Sequence, residues 1–262
     1  RNFYGRSGTM SAGVYLVSPQ TAAYSAITGV ISNPAECEYE DAQMPETYIT
    51  DDSMLILPDL DPAREIIQGP NIKPFPLNVP LTKDICSKVM IKVEDNITTD
   101  HIMPAGAKIL PYRSNIVKIS EFCFSQIDAG FHDRCKQYNG GIIVARENYG
   151  QGSSREHAAL APMYLGIKAV FANSYARIHR QNLINSGIIP CLFTSLEDYT
   201  SIDLLDELEL TDSKNPEVGK PITVVNHTKN HTFTMKHDLT EKEIRMIKAG
   251  GLLKMIQSEE QV

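Results

Sequence analysis

Two serines and an arginine in a row, Ser153-Ser154-Arg155, close a glycine turn that runs Glu147-Asn148-Tyr149-Gly150-Gln151-Gly152. The turn follows an apolar, strand-like run at 142–145 and precedes an apolar, helix-like run at 158–165. At a helix start these residues would sit where backbone N–H groups and the positive end of the helix dipole favour an anion. Arg155 adds a planar fork that grips a carboxylate by two hydrogen bonds. A serine hydroxyl there can donate to the anion, or act as a base if a positive field removes its proton. The set outlines a site for a carboxylate with a reactive C–H bond. The competing structural reading is an ordinary Ser-Ser N-cap with Glu156 in the first turn.

Elements able to position such a turn are legible around it. Strands are expected at 88–93, 141–144, 167–171, 188–193, 222–225 and 232–235, where apolar residues alternate or run together. Helices are expected at 154–165, 176–186 and 240–249, the last capped by Thr240 with Glu243 three residues on. Gly187, Gly250 and Gly251 supply helix stops. Strands and helices of these lengths predict one compact α/β domain over 84–262. Ahead of it, Ser18-Pro19 starts a helix over 21–30 within a segment 1–33. Residues 34–83 carry Pro45, Pro58, Pro62, Pro70, Pro74, Pro76 and Pro80. That spacing excludes a long helix or central strand and predicts an extended linker, with a helical turn over 61–67.

Composition sets the outer bounds. The chain has 262 residues, 42% hydrophobic and 22% charged, with no apolar run of membrane-spanning length. A net charge of -7 without a Lys/Arg block argues against broad nucleic-acid binding. Five cysteines, Cys37, Cys86, Cys123, Cys135 and Cys191, are scattered and form no close pair. Their odd number and the lack of a secretory signal favour a reducing compartment. Such spacing does not build an iron–sulfur site. His227 and His231 have a metal-pair spacing but no third ligand. The histidines at 179 and 237 receive no role.

Four blocks in order resemble the aconitase family. Residues 147–160, from Glu147-Asn148-Tyr149-Gly150 to Ala158-Ala159-Leu160, match its active-site loop without a gap. Arg1-Asn2-Phe3-Tyr4-Gly5-Arg6 resembles a segment near the end of the family's third domain. Asp95-Asn96-Ile97-Thr98-Thr99-Asp100-His101-Ile102 resembles the opening of its swivelling C-terminal domain. Ser174-Tyr175-Ala176-Arg177-Ile178-His179 resembles the start of a helix in that domain. The resemblance implies the end of the third α/β domain at 1–33, a Pro-rich linker at 34–83, and the swivelling domain at 84–262. The swivelling domain would be a mixed β-sheet or barrel with flanking helices.

The resemblance also implies chemistry. The chain would be the C-terminal portion of a hydro-lyase that interconverts citrate and isocitrate through cis-aconitate. Ser153 would be the general base, acting as an alkoxide, with Asp100 and His101 beside it. Ser154, Arg155, Arg113, Arg1 and Arg6 would bind the substrate's carboxylates, and His157 would be a neighbouring donor. A [4Fe–4S] cluster would serve the whole enzyme. Its cysteines would lie upstream in the same polypeptide, with no metal ligand in this chain, which alone would be inactive. The compartment would be the cytoplasm, or the mitochondrial matrix of a eukaryote. Related reactions stay open: 2-methylcitrate dehydration, homoaconitase and isopropylmalate isomerase. A non-catalytic module binding RNA or a protein partner is the alternative from another class.

Overall fold

The computed structural model describes residues 9, 11–38, 40, 43–58, 63, 65, 67–106 and 108–259. They fall into two units, Arg1–Ile66 and Ile67–Val262. In the first unit, helix α1 (Pro19–Thr28) starts where Ser18 accepts from the Thr21 amide at 3.1 Å. It stops at Gly29, whose φ of +76° is the left-handed conformation a C-cap requires. A single 3₁₀ turn follows at Pro34–Glu36. The helical turn expected over 61–67 lies largely outside the described residues, as do Arg1 and Arg6.

The second unit is built on a closed barrel of seven strands. They are β1 (Ile85–Lys92), β2 (Gly141–Val144), β3 (Ile167–Ala172), β4 (Ile189–Phe193), β5 (Glu207–Thr211), β6 (Ile222–Asn226) and β7 (His231–Lys236). Their order around the barrel is β1-β2-β3-β4-β7-β6-β5. The run β1 to β4 is parallel and the remaining pairings are antiparallel. All seven strands contribute to one apolar cluster, including Val89, Ile142, Phe171, Cys191, Leu208, Val224 and Met235. A small barrel must be filled by side chains from every strand, so these strand residues fill its interior, and the same cluster continues onto Ile184, Tyr199, Ile244 and Met255 outside the strands.

The residues that alternate with these on the parallel strands, such as Ile143 and Val170, join a second cluster outside the barrel. A register shift in β1 between Val89 and Ile91 turns both Met90 and Ile91 to that outer cluster. The helices supply the other side of both clusters. They are α2 (Thr99–Ile102), α3 (Ile116–Ile119), α4 (Phe131–Tyr138), α5 (His157–Tyr164), α6 (Arg177–Asn185), α7 (Leu196–Ser201), α8 (Glu241–Ala249) and α9 (Leu252–Glu259). The buried run Ala158 to Met163 in α5 is small and close-packed, which seats that helix against the strands. The capping box expected at Thr240 and Glu243 forms at the start of α8.

The extended segment 67–83 belongs to this unit and is pinned to it. Lys73 donates its amide to the Ser114 carbonyl at 3.2 Å, and Leu81 to that of Lys248 at 3.0 Å. The buried Asn78 donates its side-chain amide to the Ser186 carbonyl at 3.0 Å. One expectation needs correction. The helix after the glycine turn starts at His157, not Ser154, because Ser153 to Glu156 form a separate turn closed by the Arg155 amide on the Ser153 carbonyl at 2.8 Å. β5 and α4 were absent from the sequence expectations, although Leu208 and Leu210 alternate with acidic neighbours as a half-buried strand should.

Candidate active site

Three chain segments leave the carboxyl ends of the parallel strands and are knitted together there. After β1, the Ile97 carbonyl accepts from the amides of Gly150 (2.7 Å) and Gln151 (3.1 Å). The Thr99 amide returns a bond to the Gln151 carbonyl at 2.8 Å. After β3, Tyr149 donates its amide to the Ser174 carbonyl at 3.0 Å and accepts from the Ala176 amide at 2.9 Å. The segment after β2 therefore lies as a short ladder between its two neighbours. Carboxyl ends of parallel strands are where α/β proteins place their ligands, since chain departs there in loops over a rigid base.

Beyond the ladder, Ser153, Ser154 and Arg155 line a hollow of about 220 Å³ together with Arg113. Pro104, Leu110 and Ile119 form its apolar wall. Neither serine hydroxyl makes a hydrogen bond among the described residues, and neither caps α5. The first helical amides of Ala158 and Ala159 bond back to the carbonyls of Arg155 (3.2 Å) and Glu156 (2.8 Å). The Ser-Ser cap of α5 is thus absent. Two guanidinium groups, of Arg113 and Arg155, bring positive charge to the hollow.

Those two arginines are held differently. Arg155 donates from Nη1 to Asp100 Oδ1 at 2.7 Å and to the Met103 carbonyl at 3.0 Å. Its Nε and Nη2 make no bond among the described residues, so half of the fork is available to a ligand. The exposed Arg113 side chain has no partner among the described residues, while its carbonyl accepts from His157 Nε2 at 2.8 Å. His157 thereby ties the start of α5 to the turn that carries Arg113. Asp100 and His101 do not line the hollow. Asp100 reaches it through Arg155. His101 accepts the Thr98 amide on Nδ1 at 3.1 Å as part of a capping box for α2, which leaves Nε2 as its one uncommitted nitrogen.

The four cysteines of the second unit do not fit an iron–sulfur cluster. Cys123 and Cys135 are buried in the outer core, Cys191 in the barrel, and Cys86 is exposed on β1. Burial pushes the Cys135 and Cys191 thiols up to about 12 and Cys123 well above its usual value. Iron is ligated by thiolate, which these sites disfavour. His227 pairs with Glu209 at 2.7 Å and His231 faces Asp198 at 4.0 Å, so those two histidines use separate partners. No group of three His, Cys, Asp or Glu converges among the described residues. None of the described helices is long and apolar enough to cross a membrane.

Sequence reasoning overlooked the Met103 carbonyl, a main-chain acceptor that no side-chain pattern announces. It also overlooked His179, which lies beneath the turn. Its place within a motif block was the available signal.

Comparison with known proteins agrees with this geometry. The family described as the aconitase C-terminal domain matches residues 84–196. A probable mitochondrial aconitate hydratase of Caenorhabditis elegans is 31% identical, over 97% of this chain and 38% of that protein. A mitochondrial homocitrate dehydratase of Saccharomyces cerevisiae is 31% identical, over 76% of this chain and 30% of that protein. The solved 3-isopropylmalate dehydratase of Methanocaldococcus jannaschii superposes with a TM-score of 0.56 at 31% identity, covering 68% of this chain and 96% of that one. The chain spans little more than a third of the length of the curated aconitate hydratase it matches. Its barrel, its motif-bearing turn and these relatives together establish that the chain belongs to the aconitase family and carries the family's C-terminal domain.

Proposed function

We propose that this chain supplies the base and the carboxylate-binding arginines of a hydro-lyase that interconverts citrate and isocitrate through cis-aconitate. The observation that carries the reading is the convergence of Ser153, Ser154, Arg155 and Arg113 on one hollow. Ser153 Oγ, as alkoxide, takes the proton from the carbon next to a carboxylate. The C–H pair becomes the new C=C bond as the C–O bond breaks and hydroxide leaves. The guanidinium groups hold the carboxylates and stabilise the negative charge that spreads into the carboxylate next to the deprotonated carbon. A serine is a strong enough base only in a positive field, and the two arginines supply that charge on this side of the hollow.

Asp100 serves by holding Arg155 at its angle, and His101 can offer only Nε2. Arg1 and Arg6 complete the carboxylate set in this proposal. In this proposal the cluster that would receive the hydroxyl is held by cysteines upstream in the same polypeptide. The mitochondrial names of relatives favour the matrix as its compartment.

The second reading keeps the base and changes the substrate. Homocitrate and 3-isopropylmalate are named for two relatives, and both are hydroxy acids with more than one carboxylate. The test is anaerobic turnover by the full-length enzyme, reconstituted with iron and sulfide. The substrates offered in parallel are cis-aconitate, 2-methyl-cis-aconitate, homoaconitate and isopropylmaleate. Preference for cis-aconitate, with turnover abolished and citrate binding kept in Ser153→Ala, supports the proposal. Preference for isopropylmaleate, or full activity in Ser153→Ala, overturns the substrate or the base respectively.

A further inference from the structure

The turn that carries Ser153 rests on a buried ring that its own chemistry does not use. Gly150 has a φ of +82°, and a Cβ built on it would fall 2.1, 2.2 and 2.4 Å from Cδ2, Cγ and Cβ of His179. Backbone and ring root are therefore in contact closer than any other residue type would permit. His179 is 1% exposed, and neither of its ring nitrogens has a hydrogen-bond partner among the described residues. Tyr149, the residue before Gly150, is equally buried and meets the imidazole edge-on at 5.2 Å between centroids. Tyr149 in turn packs edge-on against Tyr175 at 6.2 Å. The Tyr175 hydroxyl is anchored on the carbonyls of Val170 (2.7 Å) and Cys191 (2.8 Å), in β3 and β4. A rigid path thus runs from the barrel through three rings to the backbone three residues before the serine.

We propose that His179 is a positioning residue: its ring is the floor on which the 149–152 backbone is set, and it fixes the place of Ser153 without touching substrate. Burial supports this role by holding the imidazole neutral, with its proton affinity lowered to about 4, so the ring acts as an aromatic plate. The atoms that meet Gly150 are those a phenylalanine also has, so the contact needs the ring root and no nitrogen. The inference rests on Ser153 being the base, but the contact itself can be tested apart from activity.

The experiment uses the full-length enzyme and four variants: His179→Ala, His179→Phe, Gly150→Ala, and the double His179→Ala/Gly150→Ala. Hydrogen exchange is followed in peptides covering 148–156 and in peptides from β5 to β7. In His179→Ala the turn is expected to exchange at least about tenfold faster while the strands keep wild-type protection. Turnover should fall by about 100-fold, since displacement of a reacting group by an ångström costs that much, with KM within about threefold. His179→Phe should keep both protection and turnover. Gly150→Ala should cost less in the His179→Ala background than alone, because Cγ and Cδ2 are gone and only the Cβ approach at 2.4 Å remains.

Unchanged exchange of the turn in His179→Ala, or faster exchange spread evenly over the strands, would overturn the proposal and leave His179 an ordinary core residue. If His179→Ala does not fold, an open turn in a folded His179→Phe variant overturns it equally. Should no hydro-lyase substrate turn over, the exchange results alone decide the matter.

Discussion

Arg155→Lys separates the ligand-binding use of this arginine from its structural one. In the structure Nη1 is spent on Asp100 and the Met103 carbonyl, while Nε and Nη2 remain for a carboxylate. A lysine has one nitrogen and cannot both hold Asp100 and present a fork. Losing a charge-assisted hydrogen bond to substrate costs about 1.5–3 kcal/mol, or roughly 10–150-fold in KM. The cost in stability is much smaller. Asp100 is 57% exposed and Arg155 21%, so solvent screens the pair and it contributes under about 1 kcal/mol. In the larger full-length enzyme that moves Tm by less than the about 2–4 °C expected of a 150–250-residue protein. The assay is steady-state hydration of cis-aconitate by the reconstituted full-length enzyme, beside a thermal melt of the same preparation. A KM within about threefold of wild type, with a Tm lowered by more than the screened pair allows, would refute the reasoning. Arg155 would then only tie α2 to the turn.

Arg113→Lys should raise KM by about tenfold or more with Tm unchanged, because the side chain has no partner among the described residues to lose; kinetics and a melt check it. Gly140→Ala should destabilise the barrel by more than about 3 kcal/mol, read as a lower urea midpoint. At φ +95° its Cβ would sit 2.0 Å from the Gly166 carbonyl oxygen, so strain and backbone overlap add. His179 should make stability pH-dependent. Its folded proton affinity lies at about 4 against 6.5 unperturbed, so the unfolded chain binds the proton more readily between those values. Its contribution is intact above 6.5 and declines as pH falls toward 4, by about 1.4 kcal/mol per unit. Urea midpoints at pH 7 and 5 should therefore differ less in His179→Phe than in wild type; an equal difference would contradict the assignment.

In the parallel half, β2 was legible as an apolar run, Gly141–Val144, and β1 from the alternation of Lys88 to Val93. α8 was legible because its cap, its amphipathic face and its glycine stop all agree. β5 was missed although Leu208 and Leu210 alternate, and α4 was missed because its exposed face is almost wholly polar. The start of α5 was misplaced for a different reason. Ser153 to Glu156 have the composition of a helix start, yet the turn's own Arg155 to Ser153 bond competes for the same backbone.

The sequence by itself determined that a glycine turn delivers Ser153, Ser154 and Arg155 after an apolar strand, because residue order and the φ > 0 of Gly150 and Gly152 are local properties. Closure of seven strands into a barrel was decided only by tertiary structure, since it depends on pairings such as β1 with β5 that lie more than a hundred residues apart. So was the bond from His157 to the Arg113 carbonyl, and the commitment of half of Arg155 to Asp100. The seating of Gly150 on His179 belongs with these. Each is a contact between segments whose distance in space is set by packing, and no pattern along the chain encodes a distance.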